Sequence, residues 1–369
     1  MDTKAIQEML GSVLPAVNGR AFPWMEGVLL EADEDGYLRM TATNEVFTLA
    51  SGSYEVNVAE AGTVLVNAKS LNGIVSKAQN GTVEIVGAGK GLAIKTKSGK
   101  YKIATMEAEG FRGSTKIEGI KEEEQRMLAQ DLFGLIRRAR SVVLNDETRP
   151  VLCGVNLQLS NGTLLARGTD GARIGNATAE TELRGSFNII VPFPALSSIM
   201  GICAKGNMVG VLTDGKKLRV TNDKGDELCT TLVYGSFPDV GKVFREHSNT
   251  LIAVDSKELK DAVARAIVTS DKKAVEISTV NGIATLKASG SIGTASEEME
   301  CEQSGQDFGD GILLDATLLS SILTVTDGKI TIGIENAVKP VMIMPYESSE
   351  RYRFGIAPLR KMYNDEASV

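Results

Sequence analysis

Pro23-Trp24-Met25-Glu26-Gly27-Val28-Leu29-Leu30 is answered about one domain later by Pro150-Val151-Leu152-Cys153-Gly154-Val155-Asn156-Leu157. After a similar gap each is followed by a polar pair, Thr43-Asn44 and Thr169-Asp170. The second half of the pattern occurs three times. Val64-Leu65-Val66, Ile189-Ile190-Val191 and Ile312-Leu313-Leu314 each precede a short stretch of helical period. Val83-Glu84-Ile85, Val209-Gly210-Val211 and Ile330-Thr331-Ile332 follow it. Self-similarity at a fixed period decides architecture before any single motif does, because each repeat is one folding module. Three like modules predict a built surface or ring rather than a pocket enzyme.

The helical period predicts six short helices, two per module, over Lys4–Val17, Ala68–Ala78, Ala129–Val143, Pro194–Lys205, Ser256–Val268 and Asp315–Val325. Leu71, Ile74, Val75 and Ala78 share one face; Leu132, Leu135, Ile136 and Ala139 share another; Leu259, Ala262, Val263 and Ile267 a third. Pro194 suits a first helical turn, and Ser256 and Asp315 suit N-caps. The remainder reads as strands joined at Asp35-Gly36, Asn80-Gly81, Asn161-Gly162, Asp214-Gly215 and Asn281-Gly282, dipeptides that accept φ > 0. Charged or polar joints at Lys121–Gln125 and Arg245–Asn249 divide the chain into 1–121, 122–247 and 248–369. Tyr363–Val369 reads as a frayed tail.

Composition excludes several classes of function. Cys153, Cys203, Cys229 and Cys301 are far apart and form no C-x-x-C pair, which predicts free thiols in a cytoplasmic protein, no disulfide frame and no metal site. The single histidine, His247, lies in a polar stretch, so a histidine-based triad or relay is not expected. No apolar run reaches the ~18 residues of a membrane span, and the opening MDTKAIQEML has no apolar signal region. Gly87-Ala88-Gly89-Lys90-Gly91 lacks the spacing of a phosphate loop and is followed by a strand-like run. It reads as a hairpin turn, which leaves the rival nucleotide hydrolase without a site. Asp170 and Asp239 sit in turn contexts where Asp bonds its own backbone. No cofactor is expected. The net charge is −7, yet the six helical segments carry ten basic and five acidic residues, so the rest of the chain carries −12. A common helix surface would be positive and would attract a phosphate backbone.

The chain resembles the bacterial DNA polymerase III beta subunit, or sliding clamp, family over nearly its whole length. The residues that carry the resemblance are PVLCGVNLQL followed by GTDGARIG, then YGSFPDVGKVF, and the closing RFGIAPLR. The resemblance implies an α+β fold of three clamp domains, each with two helices against antiparallel sheets. It implies two chains joined head to tail in a ring around duplex DNA. Such a ring performs no chemistry of its own; it tethers a replicative polymerase, and serves a clamp loader and repair proteins, through short linear motifs. The matching pocket positions are Leu152, Thr169, Gly171, Arg173, Ile174, Pro238, Lys242, Val243, Gly355, Ala357, Pro358, Leu359 and Arg360. DNA contact maps to Arg20, Lys69, Lys77, Arg137, Arg138, Lys205, Lys260 and Arg265. The homodimer contact maps to Tyr101 and Ile103 of one chain against Ile267 and Val268 of the other. Three departures stand out. The chain opens almost directly at the first helix, where the family has a short strand. Gly355 and Ala357 stand where the family carries larger apolar residues, which predicts a wider pocket or a different preferred peptide. Ala172 replaces a polar position in the Thr-Asp-Gly turn. The short start keeps a rival open, a clamp-like decoy or scaffold that binds partner peptides without encircling DNA.

Overall fold

The computed structural model describes residues 1–18, 21–88, 90–119, 124–144, 146, 148–244, 248–347 and 351–360. Arg20, His247, much of both charged joints and the tail beyond 360 lie outside the described residues.

Six α-helices lie where the apolar period places them: α1 (Thr3–Val13), α2 (Ala68–Val75), α3 (Ala129–Arg140), α4 (Phe193–Cys203), α5 (Ser256–Ala266) and α6 (Ala316–Leu323). Each ends earlier than its periodicity suggests. Pro15 has no N–H for the ladder, so the turn after α1 tightens to a 3-10 turn over Leu14–Ala16. After α3, the Ser141 hydroxyl donates to the Arg138 carbonyl at 2.7 Å and competes with the helix. After α5, the β-branched run Ile267–Thr269 becomes 3-10. The N-cap of α5 is Asp255, not Ser256: its carboxylate accepts from Lys257 N and Glu258 N at 2.9 Å each. Asp315 caps α6 as expected, accepting from Thr317 N and Leu318 N.

The chain forms two compact units. The first comprises Met1–Phe133, Glu182–Arg184 and Pro194–Val233. It holds one 12-stranded sheet, in which the first repeat ends at Phe47–Ala50 and pairs antiparallel with Glu227–Thr231 of the second. The second unit comprises Gly134–Thr181, Gly185–Phe193 and Tyr234–Val369. It holds a 9-stranded and a 4-stranded sheet, and its seam is Arg173–Glu180 of the second repeat against Tyr352–Ile356 of the third. The unit boundary thus runs through the middle repeat, because a continuous sheet welds each half of that repeat to its neighbour.

Each repeat runs helix, strands, helix, strands, and a leading strand, Gln125–Leu128 or Thr250–Asp255, opens the second and the third. Strands lead into a helix through Gly62–Asn67 to α2, Phe187–Pro192 to α4 and Phe308–Asp315 to α6. The paired motif that opens the sequence is a one-turn 3-10 segment in both copies, Pro23–Glu26 and Pro150–Leu152, with proline at its start. Asn161-Gly162 and Asn281-Gly282 take positive φ at both residues, as two-residue hairpins require. The opening residues are not left unpaired: Met1 and Val83 exchange both backbone hydrogen bonds, at 2.9 and 2.8 Å, and Asp2 bridges Thr82. Among the described residues this is an isolated bridge and not a strand, and α1 is the first regular element.

The core is aliphatic, with the helix stripes facing the sheets. Leu132, Leu135, Ile136 and Ala139 are all buried, as are Leu259, Ala262 and Val263. Cys203 and Cys229 are buried too, and burial pushes the Cys203 thiol up to about 12. Among the largest fully buried side chains is Phe354, whose ring fills the space above Gly175 and beside Val142. Phe354→Ala is therefore expected to lower stability by about 3–5 kcal/mol, read as the shift in the urea midpoint of the second unit; a loss below ~1 kcal/mol would show that the ring is not packed there.

Candidate functional site

The Thr169–Gly171 turn links Thr163–Thr169 to Arg173–Glu180 and is over-determined by local bonds. The Asp170 carboxylate accepts from Ala172 N at 2.9 Å and Arg173 N at 2.7 Å. The Thr169 hydroxyl donates to the Arg173 carbonyl at 2.7 Å and accepts from Gly171 N at 3.1 Å. Gly171 sits at φ +92°, a conformation that other residues avoid. The Arg173 guanidinium binds Asp170 Oδ2 through two nitrogens, at 2.8 and 2.7 Å. Its remaining terminal nitrogen bonds the Leu318 carbonyl at 3.3 Å and the Ser321 hydroxyl, both on α6. Four of its five N–H groups are committed and its side chain is 9% exposed. Arg173 therefore positions the turn of the second repeat on a helix of the third; it does not reach out for a ligand.

Next to this turn the strand register builds an apolar floor. Thr169 lies opposite Ile174, Ile174 opposite Gly355, and Gly355 opposite Met342. Directly opposed residues share a sheet face, so these four form one row. A Cβ on Gly355 would stand 3.7 Å from Met342 Sδ and 3.9 Å from Val243 Cγ1. Val243 belongs to the one-turn segment Gly241–Val243 and is half-buried. The closing residues are pinned at both ends: Ala357 N donates to the Ala172 carbonyl and Leu359 N to the Leu313 carbonyl, each at 2.8 Å. Between them Pro358 is half-buried, while Ala357, Leu359 and Arg360 are exposed. Leu152 is 9% exposed on its one-turn segment, and its neighbour Val151 packs against Gly235. Pro238 and Lys242 are exposed; Lys242 pairs loosely with Asp239 at 3.8 Å. The structure thus joins Thr169, Ile174, Val243 and Gly355 directly. Met342 is the lining residue that sequence reasoning missed, because only strand register assigns it to this row.

The expected DNA-facing cations divide into two groups. Lys205 lies just past α4; it donates to the Ser12 hydroxyl at 2.7 Å and pairs with buried Asp226 at 3.6 Å. Arg137 and Arg138 approach Asp327 at 3.6 and 3.7 Å, Arg137 also bonds the Thr324 carbonyl, and Arg138 covers the Tyr352 ring at 4.9 Å. Burial lowers the Arg138 guanidinium from its ordinary value. Arg265 makes a two-point bond to Glu297 at 2.8 and 2.6 Å. Lys69, Lys77 and Lys260 have no ion pair among the described residues. With the observed helix ends, α4 and α6 carry no charge and the charges of α1 cancel, so the positive excess rests on α2, α3 and α5.

Two of the strand edges open among the described residues bear on the expected dimer contact. Lys100–Ala104 pairs with Gly91–Lys95 on one side, but only Thr105 and Met106 pair on the other, with Val66 and Leu65. Tyr101 on this edge is 42% exposed and Ile103 is half-buried on the same face. Gly293–Glu300 is the outer strand of the 4-stranded sheet, and Glu298 and Glu300 are exposed on it. Ile267 is half-buried in the 3-10 turn after α5, and Val268 beside it is 68% exposed.

The glycine-rich Gly87–Gly91 segment is a hairpin, Ala88 opposite Gly91, and a strand follows it. Among the described residues no group of three His, Cys, Asp or Glu could hold a metal ion, and no helix is long and apolar enough to cross a membrane.

A family model described as the DNA polymerase III beta subunit, N-terminal domain, matches residues 1–114, and the central-domain model of the same subunit matches 127–239. The beta sliding clamp of Chlamydia pneumoniae is 27% identical over 359 residues, covering 95% of this chain and 94% of that one. The crystal structure of the DNA polymerase sliding clamp from Bacillus subtilis is similar, with a TM-score of 0.90 at 22% identity and 98% of both chains covered. So is a Pseudomonas aeruginosa sliding clamp bound to griselimycin, with a TM-score of 0.90 at 21% identity and 98% of both chains covered.

Asp170→Ala leaves the buried Arg173 charge uncompensated and is expected to cost about 3–5 kcal/mol. Adding Arg173→Met should restore part of that loss in the same denaturation experiment; equal losses for the single and double variants would refute the clamp on the turn.

Proposed function

This chain belongs to the DNA polymerase III beta subunit family, and from that premise we propose that it is a DNA sliding clamp: two copies close head to tail around duplex DNA and tether a replicative polymerase. The observation that carries this reading is the pair of sheet seams. A chain whose repeats continue one another's sheets, while keeping open edges elsewhere, is built to extend by further edge pairing.

The three domains of the reading are 1–121, 122–247 and 248–369. The family models over 1–114 and 127–239 support the first two, and the third recurrence of strands leading into a helix supports the last. For the dimer, the open Lys100–Ile103 edge of one copy pairs with Gly293–Glu300 of the other, bringing Tyr101 and Ile103 onto Ile267 and Val268. Lys100 and Lys102 on one strand and Glu298 and Glu300 on the other supply opposite charges, and Val268 is an exposed apolar group in need of cover. On the DNA side, Lys69, Lys77 and Lys260 have no ion pair among the described residues. Arg137, Arg138, Lys205 and Arg265 exchange intrachain partners for phosphates, while Arg20 lies outside the described residues. Contacts of this kind neutralise phosphates without reading bases, which suits a ring that slides.

The polymerase, the clamp loader and repair proteins each present a short peptide to the groove over Ile174, Gly355 and Met342, between the Thr169–Gly171 turn and the Ala357–Arg360 segment. A ring linked to DNA raises the polymerase's effective concentration at the primer end, so processivity rises with no chemistry by the ring. The site of action is DNA in the cytoplasm. The decoy reading predicts instead a monomer that circular DNA does not retain, so the sedimentation and retention measurements below separate the two.

Two experiments test the proposal. Sedimentation at micromolar concentration is expected to give twice 39.3 kDa, with retention on circular but not linear DNA. Tyr101→Asp with Ile103→Asp should give monomers that circular DNA does not retain, because two charges would be buried without partners; a monomeric wild type would overturn the ring. Pro358→Ala with Leu359→Ala should abolish polymerase-peptide binding and leave the dimer intact, and unchanged peptide affinity would move the groove elsewhere.

A further inference from the structure

A cavity of about 170 Å³ lies in the first unit, between α1 of the first repeat and α4 of the second. Exposed Gly11 and Gly201 stand on its two walls, and buried Leu49 and Ile202 close its floor. The space beside both glycines is open: a Cβ on Gly11 or on Gly201 would meet no atom within 4 Å. Both lie inside helices and neither has positive φ. Glycine inside a helix is less stable than alanine, and here neither conformation nor packing asks for it.

The polar groups around the cavity point to its occupant. The Ser198 side chain is 7% exposed, yet its hydroxyl makes no hydrogen bond among the described residues. That oxygen is not sealed from solvent, and Ser198 lines the cavity, so a partner for it can arrive only from there. A buried hydroxyl without a partner is costly, and buried polar groups are nearly always met. Lys205 at the rim donates to Ser12 Oγ at 2.7 Å and stands 3.6 Å from Asp226 Oδ2, too far for a second hydrogen bond. Two of its three N–H groups are therefore open among the described residues. The Asp226 oxygens are already taken, Oδ1 by Gly52 N and Oδ2 by the Ser12 hydroxyl, at 3.0 Å each. The cavity thus offers donors that lack acceptors, beside an apolar surface of Pro15, Leu49 and Ile202.

We propose that this cavity is a binding site for a small, singly charged organic acid. The carboxylate accepts from the open N–H groups of Lys205, the Ser198 hydroxyl supplies a further donor, and an apolar body lies on Pro15, Leu49 and Ile202. An oxyanion satisfies such donors better than a neutral acceptor, because charge-assisted hydrogen bonds are the stronger ones. One charge suits the site and two do not, since the Asp226 carboxylate behind Lys205 repels a second. A cavity of about 150 Å³ is large enough for a benzene ring, so an aromatic monocarboxylate fits. Leu49 belongs to Phe47–Ala50, the strand that pairs with Glu227–Thr231 of the second repeat. An occupant therefore touches both repeats and the strand that joins them, and it stabilises the first unit by mass action. The site is separate from the peptide groove and does not depend on the ring reading.

The test is calorimetric titration of the full-length chain with sodium benzoate. Acetate supplies the acid without the ring, and benzyl alcohol the ring without the acid. Benzoate is expected to bind with a Kd of a few millimolar or tighter, and the other two about tenfold or more weakly. Saturating benzoate should raise the melting temperature. Ser198→Ala should melt no lower than the wild type, because it removes an unpaired hydroxyl, and should weaken benzoate by about fivefold or more. Gly201→Leu, whose side chain enters open space, should keep the wild-type circular dichroism spectrum and abolish benzoate binding. Should Gly201→Leu fail to fold, Ser198→Ala alone decides. The assignment is overturned if benzoate shows no saturation by about 10 mM, if benzyl alcohol binds as tightly, or if Ser198→Ala leaves benzoate affinity unchanged.

Discussion

The second unit depends on one stretch of antiparallel backbone pairing, Arg173–Glu180 against Tyr352–Ile356. It abolishes two strand edges and turns strands from different repeats into one 9-stranded sheet. It also sets the register that places Ile174, Gly355 and Met342 on a single face. A slip of one residue would turn that row to the opposite side and send Phe354 out of the core. The Asp170–Arg173 pair holds the turn at the start of this seam, and α6 receives the other side of the guanidinium. The row is therefore a by-product of joining two modules, and no module could form it alone. Phe47–Ala50 against Glu227–Thr231 makes the corresponding seam in the first unit.

Charge holds the chain together through pairs of two kinds. Arg137, Arg138, Arg173, Lys205 and Arg265 each have an acidic partner within the same unit. Most of these pairs are partly exposed, where screening leaves them weak, so a phosphate can compete for the cation at little cost. The Asp170–Arg173 pair is buried and hydrogen-bonded on several sides, which makes it a structural member that a ligand does not displace. The distinction between exchangeable and fixed cations follows from burial, and burial is not written in the residue type.

Much of the fold was legible. The three-fold recurrence, all six helices, the Asn-Gly hairpins and the Asp315 cap follow from local rules, because apolar period, turn chemistry and capping act over a few residues. Helix ends were less legible: 3-10 turns, a proline and a serine back-bond each end a helix before its apolar stripe runs out. Of the groove, the Thr169–Gly171 turn and the Pro358-Leu359 segment were readable as motifs. Met342 was not, since its alternating neighbours Val341 and Ile343 look the same in a strand and only its partner across the ladder shows which face it takes. Arg173 was readable as a site residue but not in its role, because Leu318 and Ser321 lie far along the chain.

By itself, the sequence determined the repeated modules, the secondary structure within them, the absence of catalytic residue combinations and the family resemblance. These are local or compositional properties, encoded in the order of neighbouring residues. The tertiary structure alone decided which strands carry each sheet across a repeat boundary, which edges stay open, which cations are already paired and that Gly355 lies opposite Met342. Those features arise from backbone pairing between residues far apart along the chain, where register and burial, not residue type, set the outcome.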